Sequence, residues 1–396
     1  MFTNVGLVNS AIFTDLDADG WPELLLACDW GPVLIFRNEH GKFNPWDAPV
    51  RWGGQSALPS QLSTLNQLTG WWNSIAVGDF DGDGRMDFVA GNWGRNTSRQ
   101  RFLAQPIRLY FGQADGSGNF ALLDAHFDPG LRKVVPARDW AALSAGFPVL
   151  LDRFSSFKAF SAASVSDVLA AGLPPMREVA AVTFDSMIFL NRGDHFEARP
   201  LPMEAQLSPV FGLAVGDLDG DGNEDLFLAQ NFFGVAASES RQDAGCGLWL
   251  RGDGRGNFIA VPPSESGLAI HGEGRGVALC DFDHDGRLDL VVGQNRGATK
   301  LYRNLRASPG LRVSLQGSAE NRQAVGAVAR LVFRNGRLGP AHEIRIGGGY
   351  WSQDSSGLVL GVPEKAEALE IRWPGGKVER VTVPAGSQTI SRSQPR

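Results

Sequence analysis

The chain writes the same aspartate ladder four times, and each copy is followed by a short apolar run. The copies are Asp15-Leu16-Asp17-Ala18-Asp19-Gly20, Asp79-Phe80-Asp81-Gly82-Asp83-Gly84, Asp217-Leu218-Asp219-Gly220-Asp221-Gly222 and Asp281-Phe282-Asp283-His284-Asp285-Gly286. A further carboxylate stands three residues after each glycine: Glu23, Asp87, Asp225 and Asp289. Carboxylates at alternate positions of a tight loop converge on one hard cation, and the glycine permits the sharp turn. One such loop is weak evidence; four with the same closing position predict about four Ca2+ sites.

An EF-hand needs a glutamate at loop position twelve and helices on both sides. Position twelve here holds Leu26, Ala90, Leu228 and Val292, and the runs after the loops read as strands: Glu23-Leu24-Leu25-Leu26-Ala27, Asp87-Phe88-Val89-Ala90, Asp225-Leu226-Phe227-Leu228-Ala229 and Asp289-Leu290-Val291-Val292. The ladders are therefore loops inside a β-repeat that close through a ninth-position carboxylate.

At 396 residues the chain suits one large repeat domain plus a smaller one. Glycine is abundant (49) and tyrosine scarce (3), as many short strands joined by tight turns require. The net charge of -6 is local, because the loops hold sixteen of the carboxylates and four bound Ca2+ would carry the protein to about +2. That pattern excludes an acidic tail and nucleic-acid binding. Three cysteines build no disulfide framework; Cys28 and Cys280 sit in apolar strand contexts as inert thiols, while Cys246 is more open. No stretch is long enough for a transmembrane helix, and Met1-Phe2-Thr3-Asn4 does not begin like a signal peptide, so either a leader is removed or the chain is one part of a longer protein.

Asp15 to Asp79 is 64 residues, Asp217 to Asp281 is again 64, and the middle gap is 138. A β-rich period of this length predicts propeller blades, about five in all. A strand precedes each ladder, as in Ser74–Gly78, Phe211–Val215 and Gly276–Cys280, and a third strand follows: Val33–Phe36, Ile107–Phe111, Gly247–Leu250 and Lys300–Tyr302. The turn at Asn191–Phe196 has no ladder before it, which predicts a metal-free blade in the middle gap. Gly252-Asp253-Gly254-Arg255-Gly256 resembles a dinucleotide fingerprint but leads into a strand rather than a helix, so that reading fails. Gln113–Ala121 is either a decayed metal loop or a hairpin turn; Phe120 lies 41 residues after Asp79 as Phe258 does after Asp217, which favours the turn. Between residues 137 and 172, apolar residues recur at helical spacing through Trp140, Leu143, Phe147, Leu151, Phe154 and Phe157, and Ser164 to Asp167 reads as a capping box. This predicts a helical insertion whose aromatic stripe packs on the propeller.

With these motifs the chain resembles the FG-GAP/VCBS-repeat proteins of the cartilage acidic protein-like family. The resemblance rests on Phe211-Gly212 before Asp217, on the Asp79–Gly84 loop and on the helical insertion. After Arg306 the ladders stop, and Asn321–Ala327, Gly348–Gln353 and Arg372–Gly376 resemble the ASPIC/UnbV domain that ends many such proteins. The resemblance implies an all-β fold: a calcium-loaded β-propeller over residues 1–306, then a small β-sandwich-like domain over 307–396, usually exported. Secreted, periplasmic or cell-surface placement is the corresponding expectation. The residues carried over are the ladder positions Asp15, Asp17, Asp19, Glu23, Asp79, Asp81, Asp83, Asp87, Asp217, Asp219, Asp221, Asp225, Asp281, Asp283, Asp285 and Asp289.

A structural role for the cation follows from electrostatics, since unneutralised carboxylates would open the turn. Thirteen to fifteen residues after each ladder begins, the chain reads Cys28-Asp29-Trp30, Asn92-Trp93-Gly94, Gln230-Asn231-Phe232 and Gln294-Asn295-Arg296. Equal phase places Trp30, Asn92, Trp93, Arg95, Asn231, Phe232, Asn295 and Arg296 at one end of the blades, where amides and aromatic faces suit a glycan or protein ligand; alternatively, they tie neighbouring blades together. The chain has no His-Glu-x-x-His, Gly-x-Ser-x-Gly, P-loop or paired-cysteine site, and His284 is an exposed filler. The expected function is an extracellular calcium-binding module for binding or adhesion. The alternatives are a carbohydrate-active lyase or hydrolase with its site at the central channel, or a structural part of a larger surface protein.

Overall fold

The structure is a computed structural model that describes residues 4–53, 62–113, 120–169, 176–236, 239–347 and 351–395. It is mostly β. Four repeat sheets are built on the four ladders, and in each the ladder joins the first two strands. The first sheet holds Leu7–Thr14, Glu23–Gly31, Val33–Glu39 and Lys42–Trp46 in sequence order. The third holds Val210–Gly216, Asp225–Gln230, Leu248–Gly252 and Phe258–Val261, and the fourth Glu273–Cys280, Asp289–Asn295 and Lys300–Tyr302. Register across the ladder is identical in every copy: Thr14 faces Glu23, Gly78 faces Asp87, Gly216 faces Asp225 and Cys280 faces Asp289. The ladder therefore behaves as a fixed-length hairpin loop, which sets which side chains face inward.

The second sheet departs from the expectation. Its strands are Ser74–Gly78, Asp87–Gly91, Met187–Asn191 and Phe196–Pro200, with Val50–Trp52 added in parallel on the outer edge. The turn after Asn191 thus completes the sheet of the Asp79 ladder, and no separate metal-free blade exists there; the described repeat sheets number four, not five. Ile107–Gln113 is not the third strand of that sheet either. It belongs to an inserted sheet with Phe120–Asp128, Lys133–Pro136 and Arg177–Ala181. Phe120 stands opposite Gln113 across this sheet, so its phase match with Phe258 was coincidental; residues 114–119 of the ambiguous turn lie outside the described residues, as do Gly348–Tyr350 of the second C-terminal motif.

Four short helices, Trp140–Gly146, Val149–Arg153, Phe157–Ser161 and Val165–Leu169, cover the inserted sheet. Asp167 accepts from the Ser164 N–H at 2.8 Å and Ser164 Oγ accepts from the Asp167 N–H at 3.1 Å, the reciprocal capping the sequence implied. The stripe does not pack on the repeat sheets: Leu143, Phe147, Leu150 and Phe154 bury against Leu123 and Ala125 of the inserted sheet, while Leu151 and Phe157 stay exposed.

Neighbouring repeat sheets are joined at a recurrent point. The carbonyl of the second ladder residue accepts a bond from the end of the third strand of the following sheet or the residues just after it: Leu16 O from Asn191 Nδ2 at 2.8 Å, Phe80 O from Gly256 N at 3.0 Å, and Leu218 O from Asn304 Nδ2 at 2.8 Å. The three side chains at this position are buried (4%, 1% and 9% exposed), whereas Phe282, the fourth, is 65% exposed. The fourth sheet thus has no following neighbour among the described residues.

The C-terminal region pairs a three-stranded sheet, with Leu311–Gln316 between Leu358–Leu360 and Thr389–Ser393, with a four-stranded one, His342–Glu343, Val328–Phe333, Ala366–Arg372 and Val378–Thr382. The two share a core of Leu315, Leu331, Phe333, Leu369, Ile371 and Trp373.

At its junction Asn191 donates Nδ2 to both Leu16 O and Met86 O (3.2 Å), and its Oδ1 accepts the Gly193 N–H at 2.9 Å. Asn191→Ala leaves two buried carbonyls short of a donor, and we expect a loss of about 2–3 kcal/mol, measured by denaturant unfolding.

Candidate metal and ligand sites

Each ladder is wired the same way. The first aspartate accepts the N–H of the sixth-position glycine: Asp15 from Gly20 at 3.1 Å, Asp79 from Gly84 at 2.9 Å, Asp217 from Gly222 at 2.8 Å and Asp281 from Gly286 at 3.1 Å. The third-position carboxylate accepts the N–H of the fifth residue, and the fifth accepts that of the seventh. The fourth position lies in the left-handed region in all four copies (φ 64° at Ala18, 72° at Gly82, 79° at Gly220, 66° at His284), which costs the two non-glycine residues strain that the loop must overcome.

Donor atoms converge in every loop. One oxygen each from Asp15, Asp17 and Asp19, from Asp79, Asp81 and Asp87, from Asp217, Asp219 and Asp225, and from Asp281, Asp283 and Asp285 lie within 4.8 Å of one another. Asp15 Oδ1, Asp79 Oδ1 and Asp281 Oδ1 are buried without a hydrogen-bond partner, while Asp283 Oδ2 meets Arg303 Nε. Buried carboxylate oxygens left bare and pointed at one another are what an oxygen-coordinated cation satisfies, so the residues fit a hard divalent ion. Without one, burial and neighbouring carboxylates push Asp217 and Glu23 up to about 7, Asp79 to about 6 and Asp225 to about 8.

The ninth-position carboxylate has a second task that sequence spacing did not show. It accepts the N–H of the second ladder residue and a backbone N–H at the end of the third strand. Glu23 takes Leu16 and Asn38, Asp87 takes Phe80 and Asn191, Asp225 takes Leu218 and Gly252, and Asp289 takes Phe282 and Asn304. It is a clasp between loop and third strand, in addition to sitting among the donors of the second and third clusters.

The C-terminal region docks on the ladders. Arg372 Nη1 lies 2.7 Å from Asp15 Oδ2 and Arg312 Nε 2.7 Å from Asp281 Oδ2; Ala341 N donates to Asp79 Oδ2 at 2.8 Å, with Arg330 4.0 Å away. At the third ladder the approach is so close that a Cβ on Gly361 would overlap the Asp217 carboxylate. His284 is exposed, yet its Nδ1 meets Arg312 at 2.7 Å. Between the sheets and this region lies a small cavity of about 70 Å3, bordered by Glu224, His342, Glu343, Arg345 and Asp354. His342 Nδ1 is 2.9 Å from Glu224 Oε1; burial lowers the imidazole's affinity for protons, but the Glu224 carboxylate outweighs it and leaves the group above its ordinary value.

At the opposite end of the second strands, the phased residues fall into two groups. Trp30, Trp93 and Phe232 are brought together through Trp71, which the spacing missed because it lies on a separate two-residue strand, Gly70–Trp71. Ring centroids run Trp30–Trp71 4.9 Å, Trp71–Trp93 5.1 Å, Trp93–Phe232 5.2 Å and Phe232–Phe211 5.9 Å. Arg275 stacks over Phe211 at 3.9 Å and Arg99 over Trp71 at 5.8 Å. The amides are used up internally. Asn92 Oδ1 accepts from the Trp71 and Trp93 N–H groups at 3.0 and 2.8 Å and its Nδ2 donates to Thr183 O; Asn231 bonds Ser208, Gly245 and Gly272. Arg95 grips Asp185 with two bonds of 2.6 Å. Asn295 donates to Glu273 at 2.7 Å, and Arg296 is exposed and outside the aromatic row.

Comparison with known proteins gives an FG-GAP-like repeat over residues 15–90 and an ASPIC and UnbV match over residues 317–396. The chain is similar to cartilage acidic protein 1 of Mus musculus, 29% identical over 304 residues (74% of this chain, 41% of that protein), and to that of Homo sapiens, 23% identical over 319 residues (73% and 39%). The chain thus spans about two-fifths of the length of these relatives. Among solved structures, a BP39L lectin from Burkholderia pseudomallei aligns with TM-score 0.26 at 14% identity, covering 96% of this chain and 97% of that one. The exotype rhamnogalacturonan lyase YesX aligns with TM-score 0.24 at 12% identity, covering 98% and 73%. No helix among the described residues is long and apolar enough to cross a membrane.

Two outcomes follow. A hard divalent cation held by a ladder, at tenfold excess over its Kd, would stabilise by about 1.4 kcal/mol per site, so we expect melting temperature to rise on titration with Ca2+ and Asp79→Asn to remove about one site's share. The raised His342 value means its stabilisation is complete below the unfolded value of 6.5 and fades as pH climbs through the folded one. With the ladders saturated by a divalent cation, so that their carboxylates stay ionised, thermal melts taken upward from about pH 6.5 should show a decline that His342→Gln flattens.

Proposed function

We propose that this FG-GAP-repeat chain forms an arc of a calcium-loaded β-propeller, extracellular in placement, that acts as a binding module through its aromatic end. The radial order supports the arc: the first strands of successive sheets, Leu7–Thr14, Ser74–Gly78, Val210–Gly216 and Glu273–Cys280, pack each against the next, as the inner strands of blades do. An all-oxygen donor set supports Ca2+, and the roughly 10⁻⁴–10⁻³ M affinity typical of extracellular modules supports an environment rich in that ion. The name of the cartilage relatives agrees with this placement.

The observation that carries the binding role is the aromatic row Trp30–Trp71–Trp93–Phe232–Phe211. Its five members are only half buried, the buried Phe184 backs Trp71 at 4.6 Å, and Arg275 lies over Phe211 at one end while Arg99 lies over Trp71 near the other. Aromatic faces beside guanidinium groups suit the C–H faces and hydroxyls of a sugar, or the backbone of a peptide. Glycan binding is the form we favour, because half-buried indole and phenyl faces suit the C–H face of a sugar ring, and Asn92 fixes the backbone of Trp71 and Trp93 that carries them. The carbohydrate-active enzyme reading gains nothing from the geometry: the enclosed ionisable cluster around His342 borders a cavity of about 70 Å3, roughly two waters and too small for a sugar ring.

A glycan array with and without chelator tests the proposal. Saturable binding that disappears with chelator, and in Trp93→Ala at unchanged melting temperature, is the expected result. Binding to no glycan, or a Trp93→Ala variant that loses stability while retaining ligand, would remove the aromatic end from consideration.

A further inference from the structure

Three repeat sheets are completed by a fourth strand. Lys42–Trp46 pairs antiparallel with Val33–Glu39, Phe196–Pro200 with Met187–Asn191, and Phe258–Val261 with Leu248–Gly252. In the fourth sheet, Lys300–Tyr302 pairs on one side with Asp289–Asn295 and has no strand on its other side among the described residues. The chain does not return to fill the place. After Tyr302 the Asn304 N–H is caught by Asp289 at 2.8 Å, and Ser308 N donates to Asp219 O at 3.2 Å, which carries the backbone away into the C-terminal region.

Beside the bare edge lies a groove of about 450 Å3, lined by Leu218, Trp249, Leu268, Leu288, Leu290 and Tyr302. Its position matches the vacancy. In the third sheet, Phe258 opens the fourth strand and rests on Phe80 of the preceding ladder, with centroids 5.6 Å apart. Leu218 is the counterpart of Phe80 one sheet on, and here it faces the groove. An aromatic side chain opening an added strand would therefore meet Leu218 as Phe258 meets Phe80. At the edge and rim Arg251 is paired with Asp219 and Glu265, and Arg303 with Asp283 and Asp285, which leaves Lys300 and Arg306 as the cations with no carboxylate partner among the described residues.

We propose that this groove takes an extended strand from a partner polypeptide, which completes the fourth sheet by antiparallel strand addition. The partner segment presents an aromatic residue first, a further apolar residue toward the groove, and acidic residues preceding them. Backbone hydrogen bonds to Lys300–Tyr302 supply the register-independent part of affinity, and the aromatic pocket the specificity. The site lies on the ladder side of the fold and is independent of the aromatic row at the other end.

The probe is a labelled peptide, Asp-Asp-Gly-Asn-Phe-Ile-Ala-Val, which copies the third sheet's own fourth strand behind two added aspartates. Added to the intact calcium-loaded chain, it should bind saturably by fluorescence anisotropy and slow amide exchange at Lys300–Tyr302. Replacing its phenylalanine by serine should weaken binding at least tenfold. So should Ser264→Trp, which fills the groove from an exposed position, or Leu305→Glu, which sets a like charge at the rim against the peptide's aspartates; the two variants guard against a folding defect in either. Absence of saturable binding, equal binding by both variants at unchanged melting temperature, or exchange protection confined elsewhere would overturn the proposal.

Discussion

The first aspartate of each ladder is where the fold's local and long-range demands meet. In three of the four loops its two oxygens are divided. At Asp15, Asp79 and Asp281, Oδ2 holds the loop glycine N–H and a group from the C-terminal region, while Oδ1 is buried and bare. One atom closes the turn and anchors a distant sheet; the other is left for a cation. Because both atoms belong to one rigid carboxylate, rotating it to suit either partner disturbs the other. Loop geometry, C-terminal docking and the capacity to hold a cation therefore form one coupled unit rather than three independent features.

That coupling gives the repeat sheets two unlike ends. At the ladder end, carboxylates and arginines dominate, and the C-terminal region covers them. At the other end the same strands finish in aromatic residues, with amides consumed in holding them. A strand of five to nine residues thus carries electrostatics on one side of the molecule and apolar surface on the other. The shared register across every ladder keeps the two ends in phase from sheet to sheet.

Local periodicity made much of this legible. The ladders, the flanking strands, the closing carboxylates and the phase that brings Trp30, Trp93 and Phe232 to one end are all statements about residues within one repeat. What was hidden depends on residues far apart in the chain. Counting periods assumed that each sheet is contiguous, and so assigned Asn191 to a blade of its own and Ile107–Phe111 to the wrong sheet. Trp71 was invisible because it reaches the aromatic row from a link between sheets. Arg312, Arg330 and Arg372 look like ordinary outward positions of amphipathic strands, and only tertiary docking identifies their carboxylate partners. The junction asparagines were in principle readable, since Asn191 ends a third strand and Asn304 lies just past one, but an asparagine at a turn ordinarily signals only the turn.

The division of the second sheet by its insertion bears on how the chain reaches this structure. Phe88 and Phe189 stack at 4.4 Å across adjacent strands, yet about a hundred residues separate them, including an entire sheet and four helices. The other three sheets can form from consecutive segments as the chain emerges; this one stays half-built until the insertion has been made and its ends return. The entropy of closing so long a loop grows only slowly with length, so the insertion weighs little on final stability. Its weight falls on timing. The first sheet is ready early, whereas the second waits for the whole insertion and is complete only once Phe196–Pro200 has been made, which makes the Phe88–Phe189 contact a natural marker for the closing of that sheet.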